Sequence, residues 1–299
     1  MAKGEARMSD TWLSIAGDGL TAAINPFGAE LSSLRDAQGR ELMTPADPAY
    51  WTGRAPLLFP IVGALAGDRY RLKGADYPLP RHGFARRMAF TPIEQTADRL
   101  VLRLTETAET RAVYPFAFTL DMAFTLAGSA LTVTATATNR SERDMPASFG
   151  FHPAFAWPLP YGAPRTAHRI RFDKEEPEAL KQLVDGLVAI EDRPTPVRGR
   201  TLALADSLFA QDALIWEGLA SERLIYGPES GPALEIAWGD MPNLGIWTKP
   251  GAPYLCIEPW AGLADRAGFK GEIWDKPGIW RIAPGASDRW WMRIALRDV

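Results

Sequence analysis

FAFTLDMAFTL, Phe116 to Leu126, places an apolar side chain at every even position, with Thr119, Asp121 and Thr125 between them. A period of two sends alternate side chains to opposite sides of the backbone, so the stretch reads as a strand with one face in a core. LTVTATAT, Leu131 to Thr138, repeats the pattern with Leu131, Val133, Ala135 and Ala137 opposite four threonines. The Gly128-Ser129 step between the two runs supplies a turn, and the pair predicts an antiparallel hairpin. The same alternation returns at Leu100 to Leu104, at Leu234 to Trp238, and at Trp290 to Leu296, the last with Arg289, Arg293 and Arg297 on its other face.

Helical periodicity is nearly absent, and Pro177 to Val184 is the best candidate for a short helix. The 26 glycines and 25 prolines are spread along the chain, which suits many turns and marks no linker. Many short strands, frequent turns and few short helices predict an all-β fold of two packed antiparallel sheets, because one open sheet of this size would expose too much apolar area. A single domain over residues 11–299 is expected, preceded by a loose tail from Met1 to about Asp10.

Composition narrows the function. With 46% hydrophobic and 23% charged residues, the 299-residue chain has the balance of a folded globular protein. A net charge of -3 argues against nucleic acid or an anionic membrane as partner and leaves a small molecule. Cys256 is the single cysteine, so no intramolecular disulfide and no cysteine cluster can form. The N-terminal MAKGEARMSDTW lacks the apolar stretch of a signal peptide, and the most apolar run, Ala55 to Gly67, is interrupted by Pro56 and Pro60; a cytoplasmic protein is expected. There is no P-loop, dinucleotide glycine fingerprint, HExxH or GxSxG, and His82, His152 and His168 have no zinc-binding spacing, so no metal or nucleotide cofactor is expected.

Two proton-handling residues stand in apolar, strand-like frames: His152 in SFGFHPAF (Ser148 to Phe155) and Glu258 in YLCIEPW (Tyr254 to Trp260). Buried imidazoles and carboxylates are costly unless paired or hydrogen-bonded, and an acid and a base sharing a pocket would explain both. The plainer alternatives are a histidine satisfied by a backbone carbonyl and a glutamate paired with an arginine. Strand alternation puts the small Gly150 and Ala154 on the face of His152, leaving room beside the imidazole. Cys256 shares a strand face with Glu258, though a buried free cysteine is commonly a small core residue. RHGFAR (Arg81 to Arg86), with Arg87, could bind hydroxyls or a phosphate, or be a solvated basic loop. Eleven tryptophans permit stacking on a sugar ring while serving mostly as core.

Taken together, NPFGAELSSL (Asn25 to Leu34), APLLFPIVG (Ala55 to Gly63), RHGFAR, SFGFHPAF, DALIW (Asp212 to Trp216), LGIWTKP (Leu244 to Pro250) and CIEPWAGLAD (Cys256 to Asp265) resemble the aldose 1-epimerase (galactose mutarotase) family, and within it the mutarotase-like branch with an HGFAR segment. The resemblance runs through nearly the whole chain in order. It implies a large antiparallel β-sandwich, the galactose mutarotase-like supersandwich. It places the family's general base on Glu258, its general acid on His152, and substrate contacts on His82, Arg86 and Asp212. Members often carry a basic residue soon after the LFPIVG segment; here Ala64 stands in that place, and Arg54 or Arg69 could substitute.

The implied reaction interconverts the α and β anomers of a hexose by acid-base opening and reclosure of the ring, without a cofactor. With Glu258 near an ordinary carboxylate pKa and His152 partly protonated, a bell-shaped pH dependence is expected and no extreme tuning is needed. The partner is then a sugar or sugar phosphate, bound by a monomer or homodimer. Three alternatives differ in chemistry: a hexose-6-phosphate 1-epimerase using Arg81, Arg86 and Arg87 as a phosphate clamp, a non-catalytic carbohydrate-binding or sugar-sensing protein, and a glycosidase pairing Glu258 with Asp265.

Overall fold

The computed structural model describes residues 12–299, so the expected tail from Met1 to Asp10 lies outside the described residues. The Phe116 hairpin forms as its alternation predicts. Strands Phe118–Ala127 and Ala130–Asn139 pair antiparallel with Leu120 against Ala137, Met122 against Ala135 and Phe124 against Val133, and these inward residues are buried. Cross-strand contact of large and small apolar side chains on one face is what stabilises such a ladder.

This hairpin sits within a nine-stranded antiparallel sheet that runs, in spatial order, through Thr201–Ala203, Arg169–Phe172, Arg223–Gly227, Pro232–Gly239, Ser287–Asp298, Ala130–Asn139, Phe118–Ala127, Arg99–Thr105 and Thr91–Gln95. A second, seven-stranded sheet runs through Phe149–Gly150, Tyr254–Ala261, Asn243–Trp247, Leu214–Trp216, Leu180–Val184 and Leu187–Arg193, with Ala154–Ala156 also paired to Tyr254–Ala261. The two sheets face each other across the core. Phe149 of the smaller sheet stacks on Trp290 of the larger at 5.4 Å, Phe172 meets Trp216 at 5.7 Å, and the Tyr226 hydroxyl donates across the gap to the Ala156 carbonyl at 2.7 Å. One cluster of buried apolar side chains extends from Ile15 to Ile294.

The longest helix among the described residues is the six-residue Ala108–Val113, held at its start by reciprocal bonds between Thr107 and Thr110. The short helix expected at Pro177 to Val184 is instead the strand Leu180–Val184, which turns at Asp185-Gly186 and pairs antiparallel with Leu187–Arg193. Both turn residues have positive φ, 52° and 79°, the geometry of a tight two-residue hairpin. That hairpin closes one edge of the smaller sheet and becomes a wall of the site. No helix of the described residues is long and apolar enough to cross a membrane.

Candidate active site

Every residue of Tyr254–Ala261 is buried, and the strand divides its side chains by face. Leu255, Ile257 and Ala261 enter the main core, whereas Cys256, Glu258 and Trp260 point the other way; Glu258 and Trp260 line a cavity of about 410 Å³, and Cys256 packs behind it with Ala154, Ala252 and Tyr254. Glu258 pairs with Gly245 of the neighbouring strand, and Trp260 packs where side chains at Gly245 and Gly150 would otherwise stand. A methyl group added at Gly150 would lie 2.6 Å from the Trp260 ring, and one at Gly245 would lie 2.5 Å from it. Gly150 therefore makes room for Trp260, not for the imidazole as the alternation implied.

His152 is not in a strand. It sits on the Phe151–Pro153 connection between Phe149–Gly150 and Ala154–Ala156, and both flanks of that connection bond to the Glu258 strand. Phe151 N–H donates to the Pro259 carbonyl at 3.1 Å, and Ile257 N–H donates to the Pro153 carbonyl at 3.2 Å. This brings His152 Nε2 to 3.2 Å from Glu258 Oε2, with the Trp51 ring 5.0 Å from the imidazole. His152 Nδ1 is buried with no hydrogen-bond partner among the described residues. His168 is the contrast: Leu159 N–H donates to its Nε2 at 3.0 Å and its Nδ1 faces the Pro164 carbonyl at 3.1 Å, a structural histidine fully engaged away from the cavity.

The RHGFAR segment wraps around one carbonyl. Phe84 and Ala85 N–H both donate to the Phe59 oxygen, at 3.0 and 3.2 Å, and Gly83 has φ 67°. A Cβ at Gly83 would stand 2.3 Å from that oxygen, so only glycine permits the turn. His82 is thereby buried, with its ring 6.2 Å from that of His152. Gly63 N–H approaches His82 Nδ1 at 3.1 Å and Arg81 Nε approaches His82 Nε2 at 3.2 Å. A neutral imidazole accepts at only one nitrogen, so the two donors compete and one contact is free to be exchanged for a ligand hydroxyl.

The cavity brings together His82, Arg86, His152, Asp212 and Glu258, along with Arg81, Trp51, Trp247 and Trp260. Asp212 stands at the exposed rim just before Leu214–Trp216, and Arg86 is half-buried; Arg87 is not among the lining residues. Leu183, Gly186 and Val188 of the edge hairpin form the remaining wall. A Cβ on Gly186 would lie 3.5 Å from that of Ala64, so the hairpin tip covers Ala64, the position where the sequence resemblance implies a basic residue. Neither suggested substitute fills the role. Arg54 donates to the Thr44 and Pro45 carbonyls, and Arg69 lines a separate cavity of about 240 Å³. Asp265 is likewise diverted: its carboxylate accepts from Lys276 at 2.7 Å and from the Ala66 N–H at 2.9 Å, and both partners of the ion pair are buried. The pairing of Glu258 with Asp265 that a glycosidase would need is thus absent.

Electrostatics depart from the untuned pair expected from sequence. Burial pushes Glu258 well above its ordinary value of 4.5, opposed by the positive charge of Arg81 and reinforced by Asp212. Burial also lowers His152 to about 3, with Arg86 and Arg81 adding to the shift, and His82 is held well below its ordinary value of 6.5 by burial, then by His152 and the same arginines. Desolvation disfavours whichever form is charged, so the pair retains one proton over a wide pH range. That proton can sit on either partner: neutral carboxyl with neutral imidazole, or carboxylate with imidazolium.

The comparisons with known proteins agree with this architecture. The family model described as aldose 1-epimerase matches residues 11–276. The chain belongs to the aldose 1-epimerase family. It is 32% identical over 278 residues to the chromosomal LacX protein of Lactococcus lactis subsp. lactis, covering 89% of this chain and 92% of that one. Among solved structures, a galactose mutarotase related enzyme from Lactobacillus acidophilus superposes with a TM-score of 0.88 at 30% identity, over 96% of this chain and 97% of the other. A galactose mutarotase-like protein from Lactobacillus casei gives 0.87 at 27% identity, over 96% and 100%. For this aldose 1-epimerase family member, the fold and its family are therefore established together.

Proposed function

We propose that the protein is an aldose 1-epimerase that interconverts the α and β anomers of a hexose through Glu258 and His152. The observation that carries this reading is the 3.2 Å approach of His152 Nε2 to Glu258 Oε2 on the floor of a cavity also lined by His82, Arg86, Asp212 and three tryptophans. In the ring-opening step the Glu258 carboxylate takes the proton of the C1 hydroxyl. The C1–O5 bond breaks as C1=O forms, and the His152 imidazolium gives its proton to O5. Rotation about C1–C2 presents the other carbonyl face. Reclosure reverses both transfers, so no proton is gained or lost over the cycle.

The pair's single shared proton suits this chemistry. The closed ring meets carboxylate and imidazolium, and the open chain meets their neutral forms. Arg81 favours the ionised form of Glu258. The tryptophan faces fit the C–H face of a sugar, while Asp212, Arg86 and whichever His82 contact is released suit its hydroxyls.

A second reading, a hexose-6-phosphate 1-epimerase, is favoured by the positive charge at the rim. Arg86 is pushed below its ordinary value by burial and then by Arg87 and Arg81, as expected for crowded cations that an anionic ligand would relieve. Exchange NMR on α-glucose, α-galactose and their 6-phosphates tests both readings. Positioned acids and bases each contribute roughly 10² to 10⁴ in rate, so Glu258→Gln and His152→Ala should each slow exchange by at least about 10². Wild-type rates in correctly folded variants would reject the assignment. Saturable sugar binding with no exchange above the buffer rate would identify a binding protein instead.

A further inference from the structure

The acid-base scheme makes no use of Cys256. It precedes Glu258 by two residues on the same strand face, and it is paired across the ladder with Ala154, two residues beyond His152. The register thus delivers a buried thiol to the acid-base pair. The ligand-capable atoms of His152, Cys256 and Glu258 all lie within 4.8 Å of one another. Bond lengths of about 2.3 Å to a thiolate and about 2.0–2.2 Å to an imidazole or carboxylate require donors no more than about 4.5 Å apart, which small side-chain rotations supply.

We propose that His152, Cys256 and Glu258 form a binding site for a thiophilic divalent cation of the zinc type, which seats on the cavity floor and blocks the acid-base pair. The donor set selects the class of ion. One sulfur, one imidazole nitrogen and one carboxylate suit Zn²⁺ or Co²⁺, whereas Mg²⁺ and Ca²⁺ favour oxygen alone. Thiolate and carboxylate carry two negative charges, which a divalent cation cancels, so the buried complex is neutral overall and its desolvation cost is reduced. His152 keeps one nitrogen free, since Nδ1 is buried and unpartnered among the described residues while Nε2 faces Glu258. Three protein ligands also leave a fourth position open towards the cavity, where a water or a sugar oxygen can complete the shell. The blocking rests on the acid-base reading above; the binding does not.

The test uses the whole chain, freed of metal by chelation and titrated with Co²⁺. The expected result is a thiolate-to-cobalt charge-transfer absorption that saturates at one equivalent and is bleached by Zn²⁺. Cys256→Ser should abolish that band, and both Cys256→Ser and His152→Ala should weaken Zn²⁺ binding in calorimetry by tenfold or more. No band with Co²⁺ in large excess, or Zn²⁺ affinity unchanged in both folded variants, would overturn the site. Anomer exchange is read in parallel. Inhibition by Zn²⁺ that chelator reverses supports the blocking, and full exchange with the site saturated overturns it. A protein that binds Co²⁺ through Cys256 but never exchanges anomers in its metal-free form keeps the cation site and loses the proposed reaction.

Discussion

His152 and Glu258 stand out in the sequence because a polar residue in an apolar frame demands a partner, and their 3.2 Å approach shows that each is part of the other's answer. Their protonation was not legible. Their burial depends on Trp51, Trp247 and Trp260, which come from three separate segments, and no local reading sums their desolvation. The consequence is a prediction about pH. The proposed free enzyme is active while the pair holds one proton, and that state persists from the lowered His152 value of about 3 up to the raised value of Glu258. The pH profile of kcat/KM, which reports the free enzyme, should therefore show no acid limb near 6.5 and stay level until Glu258 loses its proton. A limb with its midpoint near 6.5 would mean that His152 titrates as a solvated imidazole, contrary to its burial. Trp260 offers a second prediction at this scale. A methyl group at Gly150 would stand 2.6 Å from its ring, so Gly150→Ala should cost about 1–3 kcal/mol by overpacking and displace the indole beside Glu258. Urea denaturation measures the first effect and tryptophan fluorescence the second.

Strands with one face in the core were legible wherever alternation was clean, as in Phe118–Ala127, Ala130–Asn139 and Ser287–Asp298. The edge hairpin was not, because Leu180, Leu183 and Val184 fit a helical spacing as readily as a strand with a bulge, and the register does shift between Lys181 and Leu183. The signal that decides it is the Asp185-Gly186 pair directly between Val184 and Leu187, the preferred two-residue hairpin turn. With it come Leu183, Gly186 and Val188 as cavity wall, and the cover over Ala64. Asp265 fastens this wall to the rest of the molecule. Its N–H donates to the Ala64 carbonyl, its carbonyl accepts from Val188 N–H, and its carboxylate holds both Ala66 and Lys276. Lys276→Met removes one partner of a buried ion pair and leaves the other charge uncompensated, which costs about 3–5 kcal/mol. Chemical denaturation should register that loss. A variant as stable as wild type would show that the pair is solvated in solution.

At the scale of the whole molecule, the apolar cluster from Ile15 to Ile294 joins both sheets, so unfolding should be one cooperative transition. Its pH dependence carries the imprint of the site. In the unfolded chain Glu258 and His152 have their ordinary values of 4.5 and 6.5, so between these limits the pair holds one proton, the same number as when folded. Above 6.5 the unfolded pair gives up its proton while the folded pair keeps it, and stability falls as pH rises until the raised Glu258 value is passed. Below 6.5 the lowered values of His82 and His168 act in the opposite sense, because the unfolded chain binds protons that the folded one refuses, and stability falls as pH drops. Glu258→Gln isolates the carboxyl's share. The variant has no proton to retain at that position, so relative to wild type it should gain stability steadily as pH rises above 4.5, by at most about 1.4 kcal/mol per pH unit. Urea titrations of both proteins at pH 5, 6.5 and 8 measure this difference. A difference that does not change with pH would place the folded Glu258 at its ordinary value, and the proton shared with His152 would then have to be carried by the imidazole alone.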